Sequence, residues 1–142
     1  MLKGIPPILS PELMHVLMSM GHGDELVLGD GNFPAASNAR RLVRADGHGV
    51  PELLEAIMQV FPLDTYVDEP ALVMGVVPGD PTVPTIWEDY ARILTQAEGR
   101  EVRPAEVERH AFYERARAAF AVVATSETAL YANLILVKGV VT

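Results

Sequence analysis

The chain has no cysteine in its 142 residues. That excludes disulfides, thiolate-ligated metals and a cysteine nucleophile, and it fits a reducing compartment. Basic residues are scarce. Eleven Lys and Arg against 19 Asp and Glu leave a formal net charge of −8. Such a field repels a phosphate backbone or an anionic lipid surface, so neither nucleic acid nor membrane is an expected partner. No apolar run approaches the length of a membrane span. The first residues, MLKGIPPILSPEL, carry prolines at 6, 7 and 11 and lack the apolar core of a signal peptide. These absences point to a cytoplasmic protein. No internal repeat or low-complexity linker divides the chain, and its length fits a single domain over residues 1–142. Four familiar motifs are also missing: GxGxxG after a strand, a Walker loop, HExxH and GxSxG. His22 and Asp30 could contribute to a metal site, but no tight histidine cluster supports one, and no cofactor is expected.

What is present is a core. Hydrophobic residues make up 49% of the chain, and their spacing switches repeatedly between the helical and the strand period. Ser10, Pro11 and Glu12 read as cap, first turn and dipole-favoured acid of a helix. Leu13, Val16, Leu17 and Met20 form its apolar face, and Gly21 ends it. Residues 25–29 and 42–45 read as short strands. Pro51 opens a second helix, with Leu53, Leu54, Ile57, Met58 and Phe61 facing inward. Residues 71–77 are almost wholly apolar and predict a central strand covered on both faces. A proline-rich loop at 78–84 precedes a helix over about 84–97. Residues 98–108 show no clear pattern. A helix over 110–120 and two strands, 121–124 and 132–137, complete the chain. Strands alternating with helices predict an α/β fold with a largely parallel central sheet, and such sheets bind ligands beyond the carboxyl ends of their strands.

The stretch MGHGDELVLGDGNFP (20–34) places polar, glycine-rich loops on both sides of one buried strand. His22 lies between two glycines just past a helix, where the negative end of the dipole suits a proton-carrying ring and the glycines leave room for a ligand. An exposed loop histidine fits the same position slightly better. Asp30 lies just past the strand, where a carboxylate can accept two hydroxyl hydrogen bonds, although Asp-Gly and Gly-Asn are also ordinary turn formers. Arg40, Arg41 and Arg44 read as solvated or acid-paired, His15 as surface and His48 as a turn residue. Arg109 and His110 precede the aromatic pair Phe112-Tyr113. Tyr131 and Asn133, two residues apart, share one face if the segment is a strand. A phenol and an amide there suit a sugar as well as they suit edge decoration.

The segments MLKGIPPILSPEL, MGHGDELVLGDGNFPA, RADG, HAFYERARAAFAVV and ALYANLILVKGV together resemble the sugar mutarotase family that contains the L-fucose mutarotases and the ribose pyranases, with the fucose branch the nearer. The resemblance spans almost the whole chain. It implies a three-layer α/β domain, a monosaccharide substrate, no cofactor, and a ring-shaped homo-oligomer, commonly a decamer. It also implies site residues: His22 as general acid/base, Asp30 and Arg109 as sugar ligands, and Tyr131 with Asn133 on the opposite edge, Tyr131 serving as a second proton relay. The ribose branch carries a histidine near Arg109, so His110 stands as an alternative there. Mutarotation passes through the open-chain aldehyde. The anomeric hydroxyl loses a proton, the ring oxygen gains one, and closure on the other carbonyl face reverses both. Positioned acid/base groups contribute about 10²–10⁴-fold to such a step. Two further readings are a ribose pyranase and a non-catalytic sugar-binding protein.

Overall fold

The helical stripes and the short apolar runs settle into eleven elements in a computed structural model that describes residues 1–142. In chain order they are α1 (Pro11–Ser19), β1 (Glu25–Gly29), α2 (Ala35–Asn38), β2 (Leu42–Ala45), α3 (Val50–Ile57), β3 (Ala71–Met74), α4 (Ile86–Glu98), β4 (Ala105–Val107), α5 (Arg109–Ala118), β5 (Ala121–Thr125) and β6 (Leu134–Val137). Local chemistry fixes the helix ends. Ser10 Oγ accepts the Leu13 N–H at 3.1 Å. The Glu52 carboxylate accepts the Gly49 N–H at 3.0 Å. Glu108 caps α5 by accepting from His110 and Ala111. α4 stops at Gly99, whose φ of +70° is the left-handed conformation that glycine adopts at little cost.

All six strands form one sheet in the order β2-β5-β1-β6-β3-β4. β2, β5 and β1 run parallel, as do β3 and β4. β6 enters between β1 and β3 and runs antiparallel to both. Alternate residues face opposite sides of a strand, so the sheet divides the apolar residues into two layers. One holds 28 buried residues, among them Leu26, Leu28, Val123, Leu134 and Leu136, beneath α1, α3 and α4. The other holds 11, among them Val27, Val122, Ile135, Phe33 and Phe112, beneath α2 and α5. The expected three-layer α/β fold with a largely parallel sheet is the one observed. No helix is long and apolar enough to cross a membrane.

Four details differ from the sequence reading. β6 begins at Leu134 rather than at residue 132. β3 ends at Met74 rather than at residue 77: the Gly75 N–H makes the last ladder bond, to Val107 O of β4 at 2.8 Å, and Pro78 has no N–H to extend it. The unpatterned stretch 98–108 contains the three-residue edge strand β4. The segment after Pro34 forms the single-turn α2. Both added elements are too short to show a period.

Phe112 is fully buried and meets Phe33 edge-on, with ring centroids 6.1 Å apart. Phe112→Ala should therefore destabilise the protein by roughly 3–5 kcal/mol in chemical denaturation, the cost of an aromatic cavity in a tightly packed layer.

Candidate active site

Chemistry-bearing side chains gather at both ends of β1. At its carboxyl end the chain turns at Gly29, where Phe33 folds back so closely that a Cβ would lie 2.8 Å from the ring. Glycine is required there. Asp30 follows. Its N–H donates to Asn133 Oδ1 at 2.8 Å, and its Oδ1 accepts the Asn32 N–H at 2.9 Å. Asn133 is buried at the entry to β6. Burial raises the Asp30 carboxyl above its ordinary value. The backbone N–H groups of Asn32, Phe33 and Ala132 partly offset that, and the charge of Glu127 adds to it.

Tyr131 has φ +57° and is the one non-glycine residue with positive φ. α4 holds this turn: Trp87 Nε1 donates to Tyr131 O at 2.8 Å, and the Tyr90 hydroxyl donates to Ala132 O at 2.7 Å. The Tyr131 hydroxyl donates to Asp80 Oδ2 at 2.5 Å and accepts the Val77 N–H at 3.4 Å. Arg109, the first residue of α5, places its charge near this phenol, and its guanidinium lies 6.0 Å from the Tyr113 ring centre. Arg109 and His110 both line a cleft of about 370 Å³ with Gly75, Val77 and Pro78. Asp30, Arg109, Tyr131 and Asn133 thus share the carboxyl end of the sheet.

His22 does not join them. It precedes β1, at the other end. The five residues of β1, at about 3.3 Å each, hold the two ends about 16 Å apart. There His22 Nε2 lies 3.0 Å from Asp64 Oδ1, and the two rings of His22 and Tyr66 stand 5.3 Å apart. The Asp64 side chain is 3% exposed and that of His22 is 45% exposed. Asp64 Oδ1 also accepts the Tyr66 N–H at 2.9 Å. That bond, followed by the contact with His22, holds the Asp64 carboxyl below its ordinary range. An ionised carboxylate only accepts, so it takes the proton of Nε2 and leaves Nδ1 to the solvent side. Nδ1 is then a base in the neutral ring and a donor in the protonated one. Gly139 guards this geometry, because a Cβ there would lie 2.4 Å from Leu63 O. An open cleft of about 450 Å³ adjoins the pair, lined in part by Gly23, Asp64, Val67 and Arg115.

Sequence reasoning missed Asp64 and Asp80. Asp64 is a lone acid after the apolar Phe61-Pro62-Leu63, and its partner is 42 residues away. Asp80 lies in the proline-rich loop and meets Tyr131 across 51 residues. The remaining candidates are peripheral. His48 pairs with Glu52 at 3.3 Å, Arg44 pairs with Asp46, and Arg40 and Arg41 donate to backbone carbonyls of Ala118 and Phe120. A larger but shallower surface depression, of about 620 Å³, lies along α4 and is lined mainly by solvated polar side chains such as Glu88, Arg92 and Arg103. No three His, Asp or Glu side chains converge as a metal cluster would require.

The family model described as the RbsD / FucU transport protein family matches residues 3–141. The chain belongs to this family. It is 58% identical to a fucose mutarotase of Danio rerio over 147 aligned positions, covering 99% of this chain and 94% of that one. The FucU crystal structure from Bifidobacterium longum superposes with a TM-score of 0.95 at 54% identity, covering 99% of this chain and all of that one. The fucose mutarotase from Streptococcus pneumoniae, solved in complex with L-fucose, superposes with a TM-score of 0.94 at 49% identity, again covering 99% and 100%. The family membership expected from the sequence, with the fucose branch the nearer, is the one found.

Asp30 generates a prediction about stability. Its carboxyl is raised by burial, so its ionisation opposes folding: its favourable term is full below the unfolded value of about 3.9 and is lost as pH rises through the folded value. Asp30→Asn keeps an oxygen for the Asn32 N–H. It should melt at a higher temperature than the parent at pH 7, an advantage that disappears near about pH 3, where both side chains are neutral.

Proposed function

We propose that this protein is an L-fucose mutarotase, an isomerase that interconverts the α and β anomers of L-fucose or a closely related aldose by general acid/base ring opening and closing. The observation that carries the reading is the His22–Asp64 pair. A histidine with one nitrogen held by a buried carboxylate and the other left free is a group built to move protons. It occurs in a chain 49% identical to a fucose mutarotase solved with L-fucose. In this reading His22 exchanges a proton with the sugar, Asp30 and Asn133 hold its hydroxyls, Arg109 steadies charge developing on oxygen, and Tyr131 handles the second proton.

A sugar cannot touch His22 and Asp30 of the same copy across about 16 Å of strand. The reading therefore requires a second copy, with His22 of one subunit meeting the carboxyl-end cluster of its neighbour. Exposed apolar side chains accompany each half: Tyr66 and Val67 beside His22, and Val77, Val83 and Leu130 near Tyr131. Covering them accounts for a homo-oligomer, taken here as the ring-shaped decamer of the family. The protein works in the cytoplasm as a single 142-residue domain, without nucleic acid or membrane.

Saturation-transfer NMR on the anomeric protons of L-fucose tests the activity. Exchange should accelerate with catalytic amounts of protein and fall by about 10²-fold or more in His22→Ala. Acceleration confined to D-ribose would instead place the protein in the pyranase branch, and saturable binding without exchange would make it a sugar-binding protein. Subunit sharing has its own test. His22→Ala and Asp30→Ala, each inactive alone, should regain about a quarter of the parent activity when dissociated, mixed in equal amounts and reassembled, because random assortment pairs the two intact halves at that frequency. No recovery on mixing would refute the shared site.

A further inference from the structure

We infer that Asp80 is the positioning residue that makes Tyr131 a proton acceptor toward the sugar, so that the Tyr131–Asp80 pair forms the accepting side of the reaction. The inference rests on the mutarotase reading. It begins from the direction of one hydrogen bond. At neutral pH the phenol carries one proton, and the structure aims it at Asp80 Oδ2, 2.5 Å away. The Val77 N–H takes up a second direction on the same oxygen at 3.4 Å. What Tyr131 Oη has left to offer an incoming hydroxyl is a lone pair, not a proton.

Asp80 is itself fixed. Its Oδ1 accepts both the N–H and the hydroxyl of Thr82, at 2.9 and 2.6 Å. That leaves Oδ2 for the phenol, and a carboxylate with three donors stays ionised, as its lowered pKa indicates. The groups acting on Tyr131 are Asp80, which opposes ionisation, and the Val77 N–H and Arg109, which favour it; the net direction is upward. A free phenolate is therefore disfavoured, and proton movement through Tyr131 has to be concerted with Asp80.

The step balances. The anomeric O–H proton passes to Tyr131 Oη while the phenol proton passes to Asp80. The O–H electron pair becomes the second bond of the C1 carbonyl. The bond from C1 to the ring oxygen breaks, and that oxygen takes a proton from protonated His22. Closure on the other face runs the same transfers backwards. Nothing is oxidised and no further reactant is needed.

Asp80→Asn tests this without disturbing the loop. Asn Oδ1 keeps both Thr82 bonds, so its NH₂ faces Tyr131 and turns the phenol proton out of the relay. Exchange kinetics should show kcat lowered about 10²-fold with KM changed less than about two-fold. Tyr131→Phe should show a similar loss, and the double variant no further one, because the two act as a unit. A spectroscopic readout is independent of turnover. In an absorbance titration of tyrosinate, two phenols, the buried Tyr90 and Tyr131, should ionise above about pH 10 in the parent; only one of them should move down in Asp80→Asn, and that same one should vanish in Tyr131→Phe. Parent-like kcat in Asp80→Asn, multiplicative losses in the double variant, or an unmoved phenol would each overturn the inference. A parent protein with no exchange activity would remove the mutarotase reading and the relay together, while the titration would still decide whether Asp80 controls the phenol.

Discussion

The constraint on which the rest depends is the burial of β1 between β5 and β6. Leu26, Val27 and Leu28 have no exposed surface, and each is registered on both sides, Val27 against Val122 and Ile135. A strand held on two edges and two faces has no freedom to bend, so the loops at its ends cannot approach one another. The residues that bracket it in sequence, His22 and Asp30, are kept apart by the same packing that makes the core stable. Any chemistry that needs both must be assembled from separate molecules, and function and association become one question.

At the carboxyl end the organising element is the antiparallel entry of β6. Because β6 runs against its neighbours, the residues before it arrive where β1 and β3 leave. Asn133 reaches across to the Asp30 N–H, and Tyr131 reaches the loop beyond β3. A turn with φ +57° at a tyrosine costs of order 1 kcal/mol or more, and it persists because the Trp87 and Tyr90 hydrogen bonds over-determine it. A parallel β6 would have delivered the same side chains to the opposite end of the sheet, where β1 and β3 begin.

Much of this was legible in the sequence, for reasons that differ by residue. The Ser10-Pro11-Glu12 start and the Leu13, Val16, Leu17 stripe define α1 through local rules alone. The run at 25–29 is an observed strand, and the run expected over 132–137 contains β6, which begins two residues later, because strand burial writes itself directly into composition. The shared face expected for Tyr131 and Asn133 rested on strand geometry, yet β6 begins only at Leu134. The two are brought together by a left-handed turn that carries no sequence period. The direction of β6 was illegible too, since a strand reads the same in either orientation. Asp64 and Asp80 were invisible for a further reason: each acts on a partner more than 40 residues away, and a lone aspartate in a polar loop looks like any solvated acid.

The three aspartates differ in a way that sorts their roles. Asp64 and Asp80 already have their donors, from Tyr66 and His22 in one case and from Thr82 and Tyr131 in the other, and both carboxyls are held low. Asp30 is the reverse. It is partly buried, backbone N–H groups only partly offset the cost of that burial, and its carboxyl is raised. A carboxylate that has lost water without gaining enough donors is one that an incoming pair of hydroxyls can satisfy. A carboxylate already satisfied gains little from a ligand and serves instead to orient the group bonded to it. In the proposed reaction the electrostatics therefore suit Asp30 to holding the sugar and the other two to orienting His22 and Tyr131, a division that the residue types alone could not have made.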